Sequence, residues 1–535
     1  MPLTRIPYRN TGYFSPLICD LVDQHPALEA FQTKAIDSDA FKAQIKHKEA
    51  HFSESARQLL VKALKQQYQE LPDSELVNQN IALLTAPTTF TMTTGHQLNL
   101  YTGPLYFVYK IISTIKLCQQ LKAKYPKHDF VPVYWMATED HDFDEISFFN
   151  FKGKKIKWSQ ESSGAVGRLS LEELAPLLHR FEQELGESKS ANKIKQWIKQ
   201  TYQSASTLAE ATLRLVHELF ADYGLVILDA DKPYLKAKFI PYIKNELTQN
   251  TCEKAVNQSI QELKDKYNKA YSPQVNPREI NLFYLTDEKR ERIISTTSGF
   301  ALADGEKTFS TEELLAEVDN YPERFSPNVL MRPLYQEVLL PNLCYIGGGG
   351  EIAYWLQLKN YFKAENIPFP LLLLRNSALI VSKKNNQKLA RLGLDPETMF
   401  LKRMPLINKK IREISNIDLD LQPFKEKLTE QFNYLESLVA ETDSSFAGTV
   451  NAQKQKQFKG IDRLEKRLLN AQKKKLVDHV ERLTTLHELL FPNESLQERQ
   501  ANFFEFYLDY GDTLLPHLFE NLDPLKLEFS WIVLP

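Results

Sequence analysis

Five carboxylates and one histidine fall within ten residues, 137 to 146, which read ATEDHDFDEI. Glu139, Asp140, His141, Asp142, Asp144 and Glu145 follow directly on FVPVYWM, an apolar run rich in β-formers. Like charges this close raise one another's pKa, so a positive partner or a reaction should offset the repulsion. Asp142, Asp144 and Glu145 have the oxygen-rich character that suits Mg²⁺. The plainer reading of the same cluster is helix capping on a wet surface.

Two further loops carry unusual polar chemistry. In TTGHQLNLYTGP, Gly95 permits a tight turn, and His96 and Gln97 stand at its mouth. Thr102 is expected to cap the next helix, with Gly103 and Pro104 in its first turn, leaving backbone N–H groups for a phosphate or carboxylate. In YIGGGGEIAYW, four glycines allow close backbone approach to a ligand before Glu351 opens a helix. The spacing matches neither a nicotinamide fingerprint nor a P-loop. Cys344 precedes this loop, but its apolar neighbours Leu343, Tyr345 and Ile346 favour an inert strand thiol over a nucleophile.

The elements that position these loops are legible from periodicity. TTFTMTTG reads as a strand. The stretch after Pro104 places Tyr106, Tyr109, Ile112, Ile115 and Cys118 at three-residue steps, as in a helix with one buried face. FVPVYWM is the second strand of this βαβ unit. The pattern recurs at LVILDAD, at PNLCYIGGGG and at FPLLLLRNSALIV, predicting an α/β fold with a parallel, doubly wound sheet. All three polar loops then fall at carboxyl ends of its strands, where such sheets bind ligands. The expectation is one cavity lined by Gly95, His96, Glu139, Asp142, Gly349 and Glu351.

Residues 1–155, 205–255 and 326–385 are assigned to this core, and 156–204 and 256–325 to two insertions. Residues 386–510 read as a helical coiled-coil domain, and 511–535 as a strand-like return to the core. Phe424, Leu428, Phe432, Leu435 and Val439 repeat at helical spacing, as do Ile461, Leu464 and Leu468, then Leu476, Val480 and Leu483. ETDSSFAGTV between the first two runs reads as a hairpin tip, so an antiparallel coiled coil is expected.

Composition narrows the class. The chain has 535 residues, 43% hydrophobic and 25% charged, with formal net charge -2, which gives no global bias towards nucleic acid or membrane. No apolar run approaches a membrane span, and no apolar block follows Arg5 and Arg9 as in a signal peptide. Four scattered cysteines fit a reducing cytoplasm and give no zinc or disulfide framework.

Several long stretches, in order, resemble the bacillithiol biosynthesis cysteine-adding enzymes, the BshC family. They are TTGHQLNLYTGPLYFVYKIISTIKL, PVYWMATEDHDFDEI, SPNVLMRPLYQEVLLPNLCYIGGGGEIAYWLQLK, FPLLLLRNSALIV and the late SLQERQANFFEF. Family members more often have Gln where His96 stands, and Gly-Pro-Gly-Glu where Gly348 to Glu351 stand. The resemblance implies a Rossmann-like core with two connecting-peptide insertions and a coiled-coil domain. It implies joining L-cysteine, through its carboxyl, to the amino group of glucosaminyl malate, with ATP and its Mg²⁺ activating the acid.

On that implication, the catalytic set is His96, Glu139, Asp140, His141 and Asp142, which face the substrate amines and take the proton the attacking amine loses. The binding set is Gly95, Gln97, Asn99, Thr102, Gly103, Gly348, Gly349, Glu351, Trp355 and Asn376, with Arg332 and Arg375 gripping the malate carboxylates bidentately. No protein-held metal site is expected, and a homodimer through the coil is. The core layout is similar to class I aminoacyl-tRNA synthetases, although the HIGH tetrapeptide and a zinc-ligand set are absent. Two other readings stay open: a non-catalytic nucleotide-binding scaffold, and an RNA-binding synthetase relative that uses the basic coil.

Overall fold

The computed structural model describes residues 3–31, 38–160, 162, 164–439, 441–443 and 445–535. The chain forms two compact units. One runs up to Ile380 and takes in Gln497–Leu534; the other is Val381–Leu496.

The first unit is built on a five-stranded parallel sheet. In spatial order its strands are Leu371–Leu374, Asn342–Gly347, Thr89–His96, Asp129–Met136 and Val226–Asp229. From Thr89–His96 the chain steps outward to one side through two strands, then returns to add two on the other. The order therefore reverses between Thr89–His96 and Asn342–Gly347, and a reversal of this kind opens a crevice at the carboxyl edge.

All eight residues of Thr89–His96 are buried, yet four are threonines. Their hydroxyls need internal partners. Thr93 donates to Asn342 Oδ1 at 2.9 Å and Thr94 to the Ile346 carbonyl at 2.7 Å. Asn342 in turn donates to Glu337 at 2.6 Å, and Glu337 pairs with Lys48 at 2.9 Å, both side chains being fully buried.

The helix after the first strand is Tyr106–Lys124. Its first ten residues are buried all round apart from Tyr106, not along one stripe. The sheet covers one side, while Phe503, Phe504 and Leu518 join the same hydrophobic cluster. The helix also starts later than the sequence suggests. Tyr101, Thr102 and Gly103 all have positive φ, at 50°, 70° and 61°, so the chain makes a left-handed turn before it can enter a right-handed helix. Gly103 has no alternative here: a Cβ would sit 2.5 Å from Asn99 Cβ. Thr102 therefore does not cap the helix.

FPLLLLRNSALIV is two strands, not one. Leu371–Leu374 completes the parallel sheet, and Ala378–Ser382 joins a separate three-stranded sheet with Glu528–Leu534 and Leu3–Pro7. The polar triplet Arg375-Asn376-Ser377 makes the break. Between 282 and 327 the chain forms an antiparallel five-stranded sheet. Glu161 and Ser163, within the polar stretch after residue 160, lie outside the described residues.

In the second unit, Gln422–Val439 and Ser445–Lys475 pair antiparallel, as the ion pairs Lys425–Asp462 (2.5 Å) and Lys454–Glu436 (3.0 Å) show. The expected hairpin tip includes Ser444, which lies outside the described residues. Phe432 is buried between the helices, but Phe424, Tyr434 and Leu464 are 65%, 67% and 58% exposed. The second helix ends at Lys475, and a separate helix, Val477–Leu490, packs with Arg403–Ile414.

Candidate active site

A cavity of about 910 Å³ opens at the carboxyl edge of the parallel sheet. Residues at or just after the carboxyl end of every strand of that sheet line it: Gly95 and His96, Glu139 and Asp140, Asp231, Gly348 and Glu351, and Arg375. The cavity has an acidic end and a cationic end.

The acidic end is the segment after Met136. Asp140 lies at the centre of a hydrogen-bond set. It accepts from Gln97 Nε2 at 2.8 Å and from the His141 N–H at 2.8 Å. Burial pushes its carboxyl up, but these bonds and the nearby Arg290 charge outweigh that and hold it below the usual carboxylate range. Glu139 goes the other way. Burial raises its pKa, Asp231 adds to the rise, and the ion pair with Lys236 only partly opposes it. Lys236 also reaches Asp231 at 3.4 Å, and Arg168 grips Asp231 with two bonds of 2.8 and 2.9 Å. Arg290 donates to His141 Nδ1 at 2.8 Å, to Ser326 and to the Pro327 carbonyl.

The cationic end surrounds the glycine loop. Lys110, on the buried face of its helix, donates to the Gly95 carbonyl at 2.7 Å and pairs with Glu351 at 2.5 Å. Glu351 also accepts from Tyr345 OH at 2.7 Å and from the Gly348 N–H at 2.8 Å. Burial favours a neutral Glu351, but Lys110 outweighs it and keeps the carboxyl below its ordinary value. Arg332 donates to Gln336 at 3.1 Å. His96 stacks on Phe107 at 4.9 Å and meets the edge of Tyr106 at 5.5 Å. Burial, then Lys110 and Arg375, push its pKa well down, so the ring is neutral, and its buried Nε2 has no partner.

Eleven residues singled out from the sequence line this cavity: Gly95, His96 and Gln97 on one loop, Glu139, Asp140 and His141 on the next, Gly348, Gly349 and Glu351 on the glycine loop, and the cations Arg332 and Arg375. Six do not. Asp142 is exposed and caps the short helix Phe143–Ile146, accepting from the Glu145 N–H at 3.3 Å. Asn99 donates to the Glu145 carbonyl. Thr102 and Gly103 lie in the left-handed turn, whose carbonyls at Tyr101 and Gly103 are taken by Asn502 Nδ2. The helix start behind them is covered as well, since Leu105 N–H donates to the Ala501 carbonyl. Trp355 stacks on Tyr345 from behind, at 4.5 Å, and is fully buried. Asn376 is tied to Ser113 and to the Asp523 carbonyl.

Arg375 cannot act as the bidentate clamp its sequence position suggests. Its Nη1 is engaged by the Asn376 carbonyl and Ser377, and its Nη2 by Glu498 at 2.7 Å. Among the described residues, no group of three or more acids, histidines or cysteines converges as a metal site. Asp144 pairs with Lys157 instead, and Glu145 with Gln97.

Sequence reasoning missed Lys110, Lys236, Arg290 and Arg499. A lysine on a periodic helix reads as a solvent-facing residue. Only the apolar residues immediately on both sides of Lys110, Val108 and Tyr109 before it and Ile111 and Ile112 after it, hinted that its position is interior.

Comparison with known proteins places this architecture. Residues 1–376 match the model described as "Bacillithiol biosynthesis BshC, N-terminal Rossmann-like domain". Residues 378–534 match "Bacillithiol biosynthesis BshC, C-terminal coiled-coil domain". A Flavobacterium johnsoniae protein named "Putative cysteine ligase BshC" is 52% identical over 534 residues, covering 100% of each chain. A Christiangramia forsetii protein of the same name is 50% identical and covers 99% of each. Among solved structures, a Campylobacter jejuni chain titled as an arginyl tRNA synthetase aligns at 9% identity over 85% of this chain and 100% of its own, with a TM-score of 0.22, which carries no argument. The two domain matches and the full-length relatives together show that the chain belongs to the BshC family of bacillithiol biosynthesis.

Proposed function

We propose that the protein is a ligase that joins L-cysteine, through its carboxyl group, to the amino group of glucosaminyl malate, the last step of bacillithiol biosynthesis. The observation that carries this reading is one cavity with a cluster of carboxylates at one end, Glu139, Asp140 and Asp231, set among cations, and an excess of cations over acids at the other. An amide-forming site must hold an amine beside groups that accept its proton, and an anion at a set distance from it. Asp140, ionised by its hydrogen bonds, anchors an ammonium group. Glu139, whose pKa burial raises, is the better proton acceptor once the amine attacks. His141 lines the same space, and neutral His96 brings an unfilled ring nitrogen to the cavity.

The residues at the cationic end fit a nucleotide. Gly348 puts no side chain in front of Arg375, whose buried Nε has no partner. Gly348, Gly349 and Arg332 would hold ATP, which supplies activation of the carboxyl group. Mg²⁺ would come with the nucleotide, because Asp142 caps a helix, Asp144 pairs with Lys157 and Glu145 accepts from Gln97. Exposed apolar residues on the paired helices of the second unit support a homodimer through the 420–490 coil. Four buried free cysteines suit a cytoplasmic protein. No helix among the described residues is long and apolar enough to cross a membrane.

The test is incubation of the purified protein with L-cysteine, glucosaminyl malate and ATP, with mass spectrometry for the amide. A deletion strain should accumulate glucosaminyl malate. Product formed equally without ATP would remove the activation step from the reading, and no product in any condition, with no accumulation in the strain, would remove the ligase.

A further inference from the structure

The stretch SLQERQANFFEF has no part in the chemistry above, yet it builds one wall of the cavity. Gln497 brackets Ile380, accepting from its N–H at 2.9 Å and donating to its carbonyl at 3.0 Å. Glu498 is fully buried and takes three donors: Arg375 Nη2 at 2.7 Å, Ser377 Oγ at 3.1 Å and the Ala378 N–H at 2.9 Å. Asn502 holds the Tyr101 and Gly103 carbonyls at 2.8 and 2.7 Å. Arg499 is fixed between these ties. Its own side chain is exposed, lines the cavity, and has no ion-pair partner among the described residues.

Two guanidinium groups thus lie close to one ring. Arg375 lies 4.7 Å and Arg499 5.9 Å from the centroid of Tyr106. Glu498 neutralises Arg375, so the net charge left at this wall is that of Arg499. Arg375 is 3% exposed, and its Nε is a buried donor with nothing to donate to. It faces Gly348, where a Cβ would lie 3.7 Å from it. A buried, unfilled N–H beside an unpaired planar cation is the donor set that carboxylates and phosphates take.

We propose that Arg375 Nε and the Arg499 guanidinium, set close to Tyr106, form an oxyanion subsite that binds a carboxylate or phosphate group of a substrate. The inference rests on the ligase reading only for which substrate supplies the group.

The experiment is equilibrium titration of the full-length protein at low salt with two probes, L-malate and inorganic pyrophosphate, without turnover. At least one probe should bind. Arg499→Ala should weaken that probe at least about tenfold, the loss of one charge-assisted bond, and Arg499→Lys should recover part. Gly348→Ala should weaken the same probe, because its methyl group sits in front of Arg375 Nε. Gly348 has φ -74°, which alanine adopts, but its Cβ would also lie 3.3 Å from Glu351 Oε2, so Arg499→Ala should melt like wild type and Gly348→Ala slightly lower while remaining folded. Loss confined to L-malate assigns the subsite to a carboxylate, and loss confined to pyrophosphate assigns it to a nucleotide phosphate. Binding of neither probe, or an effect of one variant without the other, overturns the shared subsite. Normal probe binding by a protein that makes no amide would sink the ligase reading and leave the subsite standing.

Discussion

Lys236→Met removes the cation between Glu139 and Asp231. The lysine side chain is 2% exposed, and those of Glu139 and Asp231 are 14% and 4% exposed. It also donates to the carbonyls of Glu323 and Phe325, each at 3.2 Å. Breaking a buried pair from one side costs about 3–5 kcal/mol. Two features place this case at the low end, near about 3 kcal/mol at neutral pH. Arg168 still grips Asp231, and Glu139 borders the cavity, where it can take up a proton.

The pH dependence follows from the direction of each shift. Glu139 has its folded pKa raised above the ordinary 4.5, so it favours the folded state most below 4.5 and loses that advantage as pH rises. Without Lys236 the rise is larger, and the loss at neutral pH greater. Asp231 has its folded pKa lowered from 3.8, so its stabilisation is present above 3.8 and is reduced in the variant. Both terms make the difference between wild type and variant largest at neutral pH and smaller below 3.8. Urea titrations across pH measure it. Product formation by the variant should fall about 100-fold at pH 7, because a protonated Glu139 accepts nothing, and recover as pH rises. A variant within about 0.5 kcal/mol of wild type at pH 7, or a difference that grows in acid, would refute the reasoning.

Asp142→Asn should keep both product formation and stability, within about 0.5 kcal/mol, because asparagine caps a helix as well as aspartate; Asp140→Asn, at the hydrogen-bonded anchor, should lose product formation and also melt below wild type at neutral pH, because it removes a carboxylate whose ionised form the fold stabilises. Cys344→Ala should remain active, since burial pushes this thiol well up, at a cost of about 1 kcal/mol in denaturant titration. Glu351 and Asp140 have folded pKa values lowered from 4.5 and 3.8. The stability they add is present above those values and lost as pH falls through the lower folded ones, so the urea midpoint should drop steeply in that acid range. Light scattering at tens of micromolar should show a dimer, and replacing Phe424 and Leu464 by glutamate should yield monomers that still fold by circular dichroism.

The strand–turn–helix–strand unit from Thr89 to Met136 was legible because each part has its own period and Gly95 marks the join. The glycine loop and the acidic segment were legible for the same reason, since both follow apolar runs that can only be buried strands. The helix start was not. Thr102-Gly103-Pro104 looks like a cap, and nothing local reveals that Asn502, almost 400 residues away, stabilises a left-handed turn there. Asp142 was misleading because a capping aspartate and a catalytic one have the same side chain. The buried cations were invisible for a related reason: Lys110 and Lys236 are identified as interior only by partners distant in sequence. Arg375 was found, but what it could grip depended on Glu498.

The three-stranded sheet has a consequence for how the protein is made. Leu3 pairs with Ile532, and Ala378–Ser382 flanks the same late strand. Leu3–Pro7 therefore waits for Glu528–Leu534, more than 500 residues later, before it can pair. The acid that holds Arg375, Glu498, is translated after the whole of Val381–Leu496, an interval of roughly 6–25 s at usual elongation rates. Throughout it the cationic wall of the cavity stands half-assembled, and Leu3–Pro7 and Ala378–Ser382 both lack the central strand, Glu528–Leu534, that joins them. A nascent chain stalled in the helical unit would then be a sticky intermediate rather than a working core, and slow codons there would tax the cell's chaperones more than the same codons after residue 500.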